Sequence, residues 1–120
     1  MYVYYLNVPL NEKGIREFET YDEIGANVKT FELTEEEFTS LFRRGKLFDI
    51  LDKKYDTIID RCEEERIEFK DLADAVLTVE QYLQKVKDPI EKSATKKVLE
   101  SLKLALDSNT FWEIDVYTKI

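Results

Sequence analysis

The chain of 120 residues carries 26 acidic and 18 basic side chains, a formal net charge of −8, and 43% of its residues are hydrophobic. This length and composition predict one domain spanning residues 1–120, with a core large enough to fold without a metal or a disulfide. The chain has no histidine and one cysteine, Cys62, which excludes an internal disulfide, a Cys/His zinc site and histidine-dependent catalytic pairs. We therefore predict no cofactor and interpret Cys62 as a small core residue.

The acidic charge is concentrated in the first part of the chain. Residues 1–69 contain 17 Asp and Glu against 10 Lys and Arg, whereas residues 70–120 contain 9 against 8. A negative surface repels nucleic acid and anionic membranes and attracts basic proteins. No positive residue precedes the short apolar N-terminus, and no run reaches the roughly 18 apolar residues of a membrane span. We predict a cytoplasmic protein of bacterial type with neither a nucleic-acid nor a membrane partner.

Two strands are predicted in the N-terminal third. Residues 2–8 alternate Tyr, Leu and Val with a second set of side chains, as in a pleated strand, and a proline ends the pattern. Residues 27–33 alternate in the same way. Between the strands, residues 11–14 predict a turn in which Gly14 is free to adopt a positive φ. The spacing in residues 15–26 fits a short helix, an irregular arm or a strand.

Two short helices are predicted after the second strand. Thr34 and Glu37 have the spacing of a capping box, in which each side chain accepts the backbone N–H of the other residue. The first helix ends at Gly45, and its predicted buried residues are Phe38, Leu41 and Phe42. Residues 46–54 predict the second helix, whose predicted inward residues are Leu47, Ile50 and Leu51.

The longest apolar pattern runs from residue 55 to residue 86 at the helical spacing of three and four residues. One position in the pattern, Glu65, is charged and lies in the most acidic run of the chain. The pattern is therefore either one helix with a carboxylate on its inner face or two segments that meet near residues 65–69. Residues 76–86 predict a helix, whereas the β-branched residues in 57–59 fit an extended chain equally well.

A last helix and a last strand complete the predicted fold. Asp88 is the predicted N-cap, Pro89 the first helical residue and Asn109 the C-cap. The predicted buried residues of this helix are Ile90, Ala94, Val98, Leu99, Leu102, Ala105 and Leu106. Residues 111–118 predict a strand with Trp112 on its inner face. Together these elements predict an α+β fold: an antiparallel sheet of about three strands (N-terminal, 27–33 and C-terminal), packed on one side by four or five helices, with the first and last strands adjacent.

Two groups of carboxylates are candidate site residues. Asp60, Glu63 and Glu64 would share one face if this segment is helical. They are interpreted as a solvated face, as a contact for a cationic partner or as oxygen ligands for a divalent cation. Their spacing does not match that of a calcium-binding loop, so the metal interpretation has little support.

The second group lies on the last strand, where one face is acidic in the middle and aromatic at both ends; its members are Phe111, Glu113, Asp115 and Tyr117. With helices on the opposite side, this face is expected to contact water or a partner, as an ordinary half-exposed strand or as a recognition surface. The N-terminal strand would add Val3 and Tyr5, or else Tyr2 and Tyr4, to the same surface.

Three functions fit these patterns. The first is a non-enzymatic acidic protein that neutralises or regulates a basic protein partner, since size, charge and missing catalytic residues are typical of bacterial immunity proteins that inhibit secreted nucleases. The second is a structural or adaptor subunit of a complex. The third is an enzyme that uses paired carboxylates, either Glu113 with Asp115 or Asp60 with Glu64, because neighbours on one face of a strand lie roughly 6 to 7 Å apart.

Overall fold

The computed structural model describes residues 2–20, 26–60 and 64–118. In chain order the elements are β1 (Tyr2–Pro9), α1 (Glu12–Glu19), β2 (Val28–Leu33), α2 (Glu35–Phe42), α3 (Leu47–Tyr55), β3 (Glu65–Ile67), α4 (Phe69–Lys85), α5 (Pro89–Ser108) and β4 (Trp112–Thr118). The predicted α+β class is confirmed, with four strands rather than about three. The sequence interpretations of Tyr21, Ile24, Gly25, Cys62 and Glu63 fall outside the described residues.

The four strands form one antiparallel sheet in the order β2-β1-β4-β3. The first and last strands are neighbours, as the sequence predicted, and they pair with Leu6 opposite Ile114 and Tyr5 opposite Asp115. Directly opposed residues point to the same face of a sheet. This register therefore places Leu6 and Ile114 on the core face and Tyr5 and Asp115 on the other face.

Four helices cover the core face of the sheet, and each contributes fully buried side chains to one apolar cluster with Tyr4, Leu6 and Trp112. Helix α1 lies apart from them. Its Phe18 packs with Phe111 in a second, smaller cluster, with ring centroids 5.8 Å apart. The sheet is therefore covered fully on one face and only in part on the other.

The local capping signals produced the expected helix ends. The Thr34 side chain accepts the Glu37 N–H, and the Glu37 carboxylate accepts the Thr34 N–H, as the capping box requires. Asp88 caps α5 and Pro89 is its first residue, while Asn109 ends it in the left-handed region at φ 57°. These ends were predictable because each one depends on residues only a few positions apart.

Two predicted core positions, Ile90 and Ile50, lie outside the core, and two others, Phe42 and Leu106, are only partly buried against it. Ile90 is 46% exposed at the start of α5, whereas Val98 and Leu102, one or more turns later, are buried. In α3 Leu47 and Leu51 are buried as predicted, and Ile50 is only half-buried. The buried residue that was not predicted there is Phe48, whose ring lies 5.4 Å from that of Phe38. Each error concerns one position, because most of each predicted face is buried.

The long apolar pattern of residues 55–86 is not one helix. Helix α3 ends at Tyr55, and the Asp52 carboxylate then holds the departing chain by accepting the Thr57 hydroxyl and the Ile59 N–H. The short strand β3 follows, and α4 begins at Phe69. Of the two sequence interpretations, the two-segment one is confirmed, with the second segment starting at the last residue of the predicted junction.

Gly14 lies in a helix rather than in a turn. Asn11 caps α1 by accepting the Gly14 N–H at 2.9 Å, so the helix begins three residues earlier than the sequence suggested. A Cβ atom at residue 14 would overlap the carbonyl oxygen of Asn27. Glycine is therefore needed for close approach between α1 and the chain before β2, and not for a positive φ.

Candidate functional site

A pocket of about 330 Å³ lies on the partly covered face of the sheet. Helix α1, the segment leading into β3, β3 itself and β4 contribute its lining. Among the residues that the structure describes, its lining consists of Phe18, Glu19, Glu64, Arg66, Glu113, Asp115, Val116 and Tyr117. We call this feature the acidic pocket, since four of these side chains are carboxylates and only one is a cation.

Strand alternation explains why β4 supplies the base of the acidic pocket. Trp112 and Ile114 point into the core, so Glu113 and Asp115 point to the opposite face. The sequence predicted a face open to water or a partner, but Glu113 is only 5% and Asp115 only 7% exposed. Tyr117 is 48% exposed, so the open part of this face is its C-terminal end.

The two buried carboxyl groups belong to a continuous chain of hydrogen bonds across all four strands. Thr30 donates to the Asn7 side-chain oxygen at 2.6 Å, and the Asn7 amide donates to Asp115, also at 2.6 Å. Asp115 and Glu113 are hydrogen-bonded to each other. Arg66 Nε donates to Glu113 Oε1 at 3.0 Å and completes the chain. These contacts satisfy groups that would otherwise be costly to bury.

Arg66 also contacts an aromatic ring. Its guanidinium carbon lies 3.6 Å from the centroid of the Phe111 ring, a cation–π arrangement. The Phe111 ring in turn packs against Phe18 of α1. Arg66 thereby covers Phe111 and Glu113, which explains the burial of this end of the strand face.

The electrostatics of the pair keep a proton in the acidic pocket at neutral pH. Burial raises the pKa of the Glu113 carboxyl to about 8, together with the hydrogen bond and the charge of Asp115, while Arg66 offsets only part of this rise. Two carboxyl groups in contact cannot both ionise without a second positive charge. Burial and the same carboxylates also raise the pKa of the Tyr117 hydroxyl.

The acidic pocket joins residues from both predicted site groups. Glu64 lines it at the exposed rim, next to Glu113, Asp115 and Tyr117 from the last strand. Asp60 lies in a bend after α3, where its charge acts on Asp52, and it does not line the pocket. Glu64 itself precedes a strand, so the shared helical face expected for Asp60 and Glu64 does not exist.

The N-terminal strand adds one of the two expected tyrosine sets to this face. Tyr5 lies opposite Asp115, and its ring centroid is 5.6 Å from that of Tyr117. Tyr4 points the other way, is fully buried and stacks on Phe38 with the centroids 3.9 Å apart. Val3 and Tyr5, rather than Tyr2 and Tyr4, therefore lie on the same face of the sheet as Asp115 and Tyr117.

Sequence reasoning missed Arg66, Asn7 and Phe18 as parts of the site. Arg66 lies in a three-residue strand, which is too short to show alternation. Its partner Glu113 is 47 positions away. The available signal was an arginine directly after three consecutive glutamates, which indicates a nearby carboxylate without saying which one.

A second, larger cleft of about 750 Å³ lies between α3, α4 and the start of α5, with four lysines in its lining. Lys46 pairs with Glu91 at 3.3 Å and Lys54 with Asp74 at 3.1 Å. Half of its cations are therefore already neutralised, and its remaining lysines are exposed. This cleft is a weaker candidate than the acidic pocket, which has two buried carboxyl groups at its base and two exposed carboxylates at its rim.

Within residues 2–20, 26–60 and 64–118, no three metal-ligating side chains are grouped so that they could hold a metal ion. No helix in this part of the chain is both long and apolar enough to cross a membrane. Comparison of the chain with protein-family models, curated proteins and solved structures found no match. The functional argument therefore depends on the geometry of the acidic pocket.

Proposed function

We propose that this protein is a non-enzymatic acidic binding protein that neutralises or regulates a basic protein partner, as toxin inhibitors of the immunity type do. In this proposal, the acidic pocket is the centre of the docking surface. The observation that carries it is the charge balance of the described part of the pocket lining, in which four carboxylates face a single guanidinium. A basic side chain of a partner would correct this imbalance.

The arrangement of the pocket supports protein recognition in two ways. Glu19 and Glu64 are exposed at its rim, where charges attract a partner over a distance and speed association. The exposed Tyr117 ring lies beside the buried carboxyl pair and next to Tyr5. Tyrosine is enriched in protein interfaces because it offers a large apolar surface and a hydroxyl at a small entropic cost.

Contact between the two buried carboxyl groups favours binding over catalysis. Carboxylate enzymes that cleave glycosidic bonds hold their two acids about 5 to 9.5 Å apart, which leaves room for the substrate bond or a water. Glu113 and Asp115 instead act directly on each other, since the hydrogen bond and the charge of Asp115 both raise the Glu113 pKa. Both line the acidic pocket but are more than nine-tenths buried, so only a group that enters the pocket can contact them.

The proposal is tested by affinity capture with two matched variants. The pocket variant carries Glu19→Gln, Glu64→Gln and Asp115→Asn. The control variant carries the same number and types of substitution at exposed sites on the helices, Glu36→Gln, Glu100→Gln and Asp107→Asn. The wild type and the control variant are expected to retain a common basic protein at low salt and to release it at high salt, because exposed charges are screened beyond about 8 to 10 Å.

The pocket variant is expected to retain much less of that basic protein. Both variants should keep the wild-type circular dichroism spectrum, since the substitutions preserve side-chain size. Equal retention by the pocket variant and the wild type would place the docking surface elsewhere. Equal losses in both variants would mean that only the overall charge matters.

A further inference from the structure

We propose that the acidic pocket receives one arginine side chain of the partner, whose guanidinium displaces the proton shared by Glu113 and Asp115. This inference rests on the proposed function, because it names the group that the basic partner inserts. It differs from a general acidic attraction in two measurable ways. It requires a planar cation, and it couples binding to the release of one proton.

The first step is the charge of the buried pair. Glu113 has a cationic partner in Arg66 at 3.0 Å. Asp115 has none among the described residues; besides Glu113, it accepts a hydrogen bond from the neutral amide of Asn7. The pair therefore has one positive charge for two carboxyl groups, and the proton makes up the difference. A second cation at the pocket side of Asp115 would make that proton unnecessary.

The second step is that the protein already binds one guanidinium in this way. Arg66 donates to Glu113 and stacks on the Phe111 ring, with 3.6 Å between the guanidinium carbon and the ring centroid. At the other end of the pair, Asp115 and the exposed Tyr117 offer the same two components, a carboxyl group and an aromatic ring. An incoming arginine would repeat the Arg66 arrangement at the unoccupied end.

The third step distinguishes arginine from lysine. A guanidinium is planar, stacks on aromatic rings and loses its hydration at a smaller cost than an ammonium group. Its several N–H donors can also reach both carboxyl groups of a pair. The pocket volume of about 330 Å³ is at the lower end of the range for ligand sites, which suits a single side chain rather than a larger molecule.

Charged or titratable groups from every element around the pocket face the pair. They are Glu19 from α1, Tyr5 from β1, Glu64 and Arg66 from β3 and the segment before it, and Tyr117 from β4. The rim carboxylates add attraction for any cation. The raised pKa of Tyr117 keeps its hydroxyl neutral near pH 7. Because the Glu113 pKa is about 8, the pair holds its proton at pH 6 and pH 7, so a cation that enters must release it there.

The experiment is a nuclear magnetic resonance titration of the whole protein with Nα-acetyl-arginine amide and, separately, Nα-acetyl-lysine amide. The arginine probe is expected to shift the backbone signals of Asp115 and Tyr117. Its affinity should rise several-fold from pH 6 to pH 7, up to about tenfold for one full proton released, and level off above pH 8. The lysine probe should bind at least about tenfold more weakly.

Glu113→Gln tests the coupling between binding and proton release. Glutamine keeps the shape of the glutamate side chain but has no acidic proton to lose. Binding of the arginine probe to this variant should lose its pH dependence, while the exposed control Glu100→Gln should behave as the wild type. Equal affinity for both probes, a flat wild-type pH profile or shifts confined to other residues would overturn the inference. No partner protein is present in this titration. If the arginine probe does not bind but a basic protein is still captured through the pocket, the arginine inference is wrong while the proposed function stands.

Discussion

Glu113 is a buried residue whose surroundings oppose the ionisation of its carboxyl group. Its hydrogen bonds to Asp115 and Arg66 make its burial tolerable, but only while a proton is retained. Its pKa is raised from about 4.5 to about 8 on folding. Between these two values the folded state binds more protons than the unfolded state, so the free energy of unfolding must fall as the pH rises.

This linkage gives a pH-dependent prediction for Glu113→Gln. The wild type should lose stability between about pH 5 and pH 8 and change little above pH 8, whereas the glutamine variant should lack that loss. Urea unfolding at pH 5, 6, 7 and 8 measures the difference, with Glu100→Gln as the exposed control. Parallel pH profiles for the wild type and Glu113→Gln would show that the pair is not protonated in the native protein.

Gly14 is the second residue whose identity is dictated by its surroundings. A methyl group there would overlap the Asn27 carbonyl oxygen, and relieving this overlap requires α1 and the chain before β2 to separate. Gly14→Ala should therefore destabilise the protein by about 1 to 3 kcal/mol, even though alanine is the better helix former. Lys13→Ala, one position earlier and exposed, should be nearly neutral in the same urea titrations. A stabilised Gly14→Ala variant would contradict the close approach.

At the scale of elements, the packing of α4 against α5 is the main helical contact of the fold. Leu102 is fully buried in the apolar core of this layer, whereas Leu83 is only half-buried near the end of α4. Leu102→Ala should cost about 2 to 5 kcal/mol, and Leu83→Ala distinctly less. The exposed Lys96→Ala should be nearly neutral. Thermal and urea unfolding of the three variants would contradict the burial pattern if Leu83→Ala were the costliest.

The elements that could be predicted from the sequence are those with local signals. The Thr34–Glu37 capping box and the Asp88–Pro89 start of α5 each need only a few consecutive residues. Strand β3 has no such signal, because Glu65–Ile67 becomes a strand only by pairing with β4. The helical face considered for Asp60 and Glu64 is not formed, since Asp60 lies in a bend after α3 and Glu64 directly precedes β3.

The candidate site was predictable only in part. The sequence singled out Glu64, Glu113, Asp115 and Tyr117 in two separate groups, and the fold brings these four residues to one pocket. The contact between the groups depends on the sheet order, which places β3 beside β4. The burial of Glu113 could not be predicted, because it follows from Arg66 and its stacking on Phe111.

For the whole molecule, the net charge of −8 and the acidic pocket have different effects on binding. The net charge attracts any cation and decays with distance and salt. The buried pair acts only on a group that enters the pocket, and it governs how long that group stays. Substitution of the rim carboxylates should therefore change mainly the association rate, and substitution of Asp115 should change mainly the dissociation rate.

The measurement that bears most directly on docking through the acidic pocket is the binding kinetics of the captured basic protein at increasing salt. For the wild type and the control variant, the association rate should fall steeply and equally as the ionic strength rises. The pocket variant should associate more slowly with a weaker salt dependence and dissociate faster, because both the rim charges and the buried anchor are changed. Identical association and dissociation rates for the pocket variant and the control variant would contradict docking at this pocket.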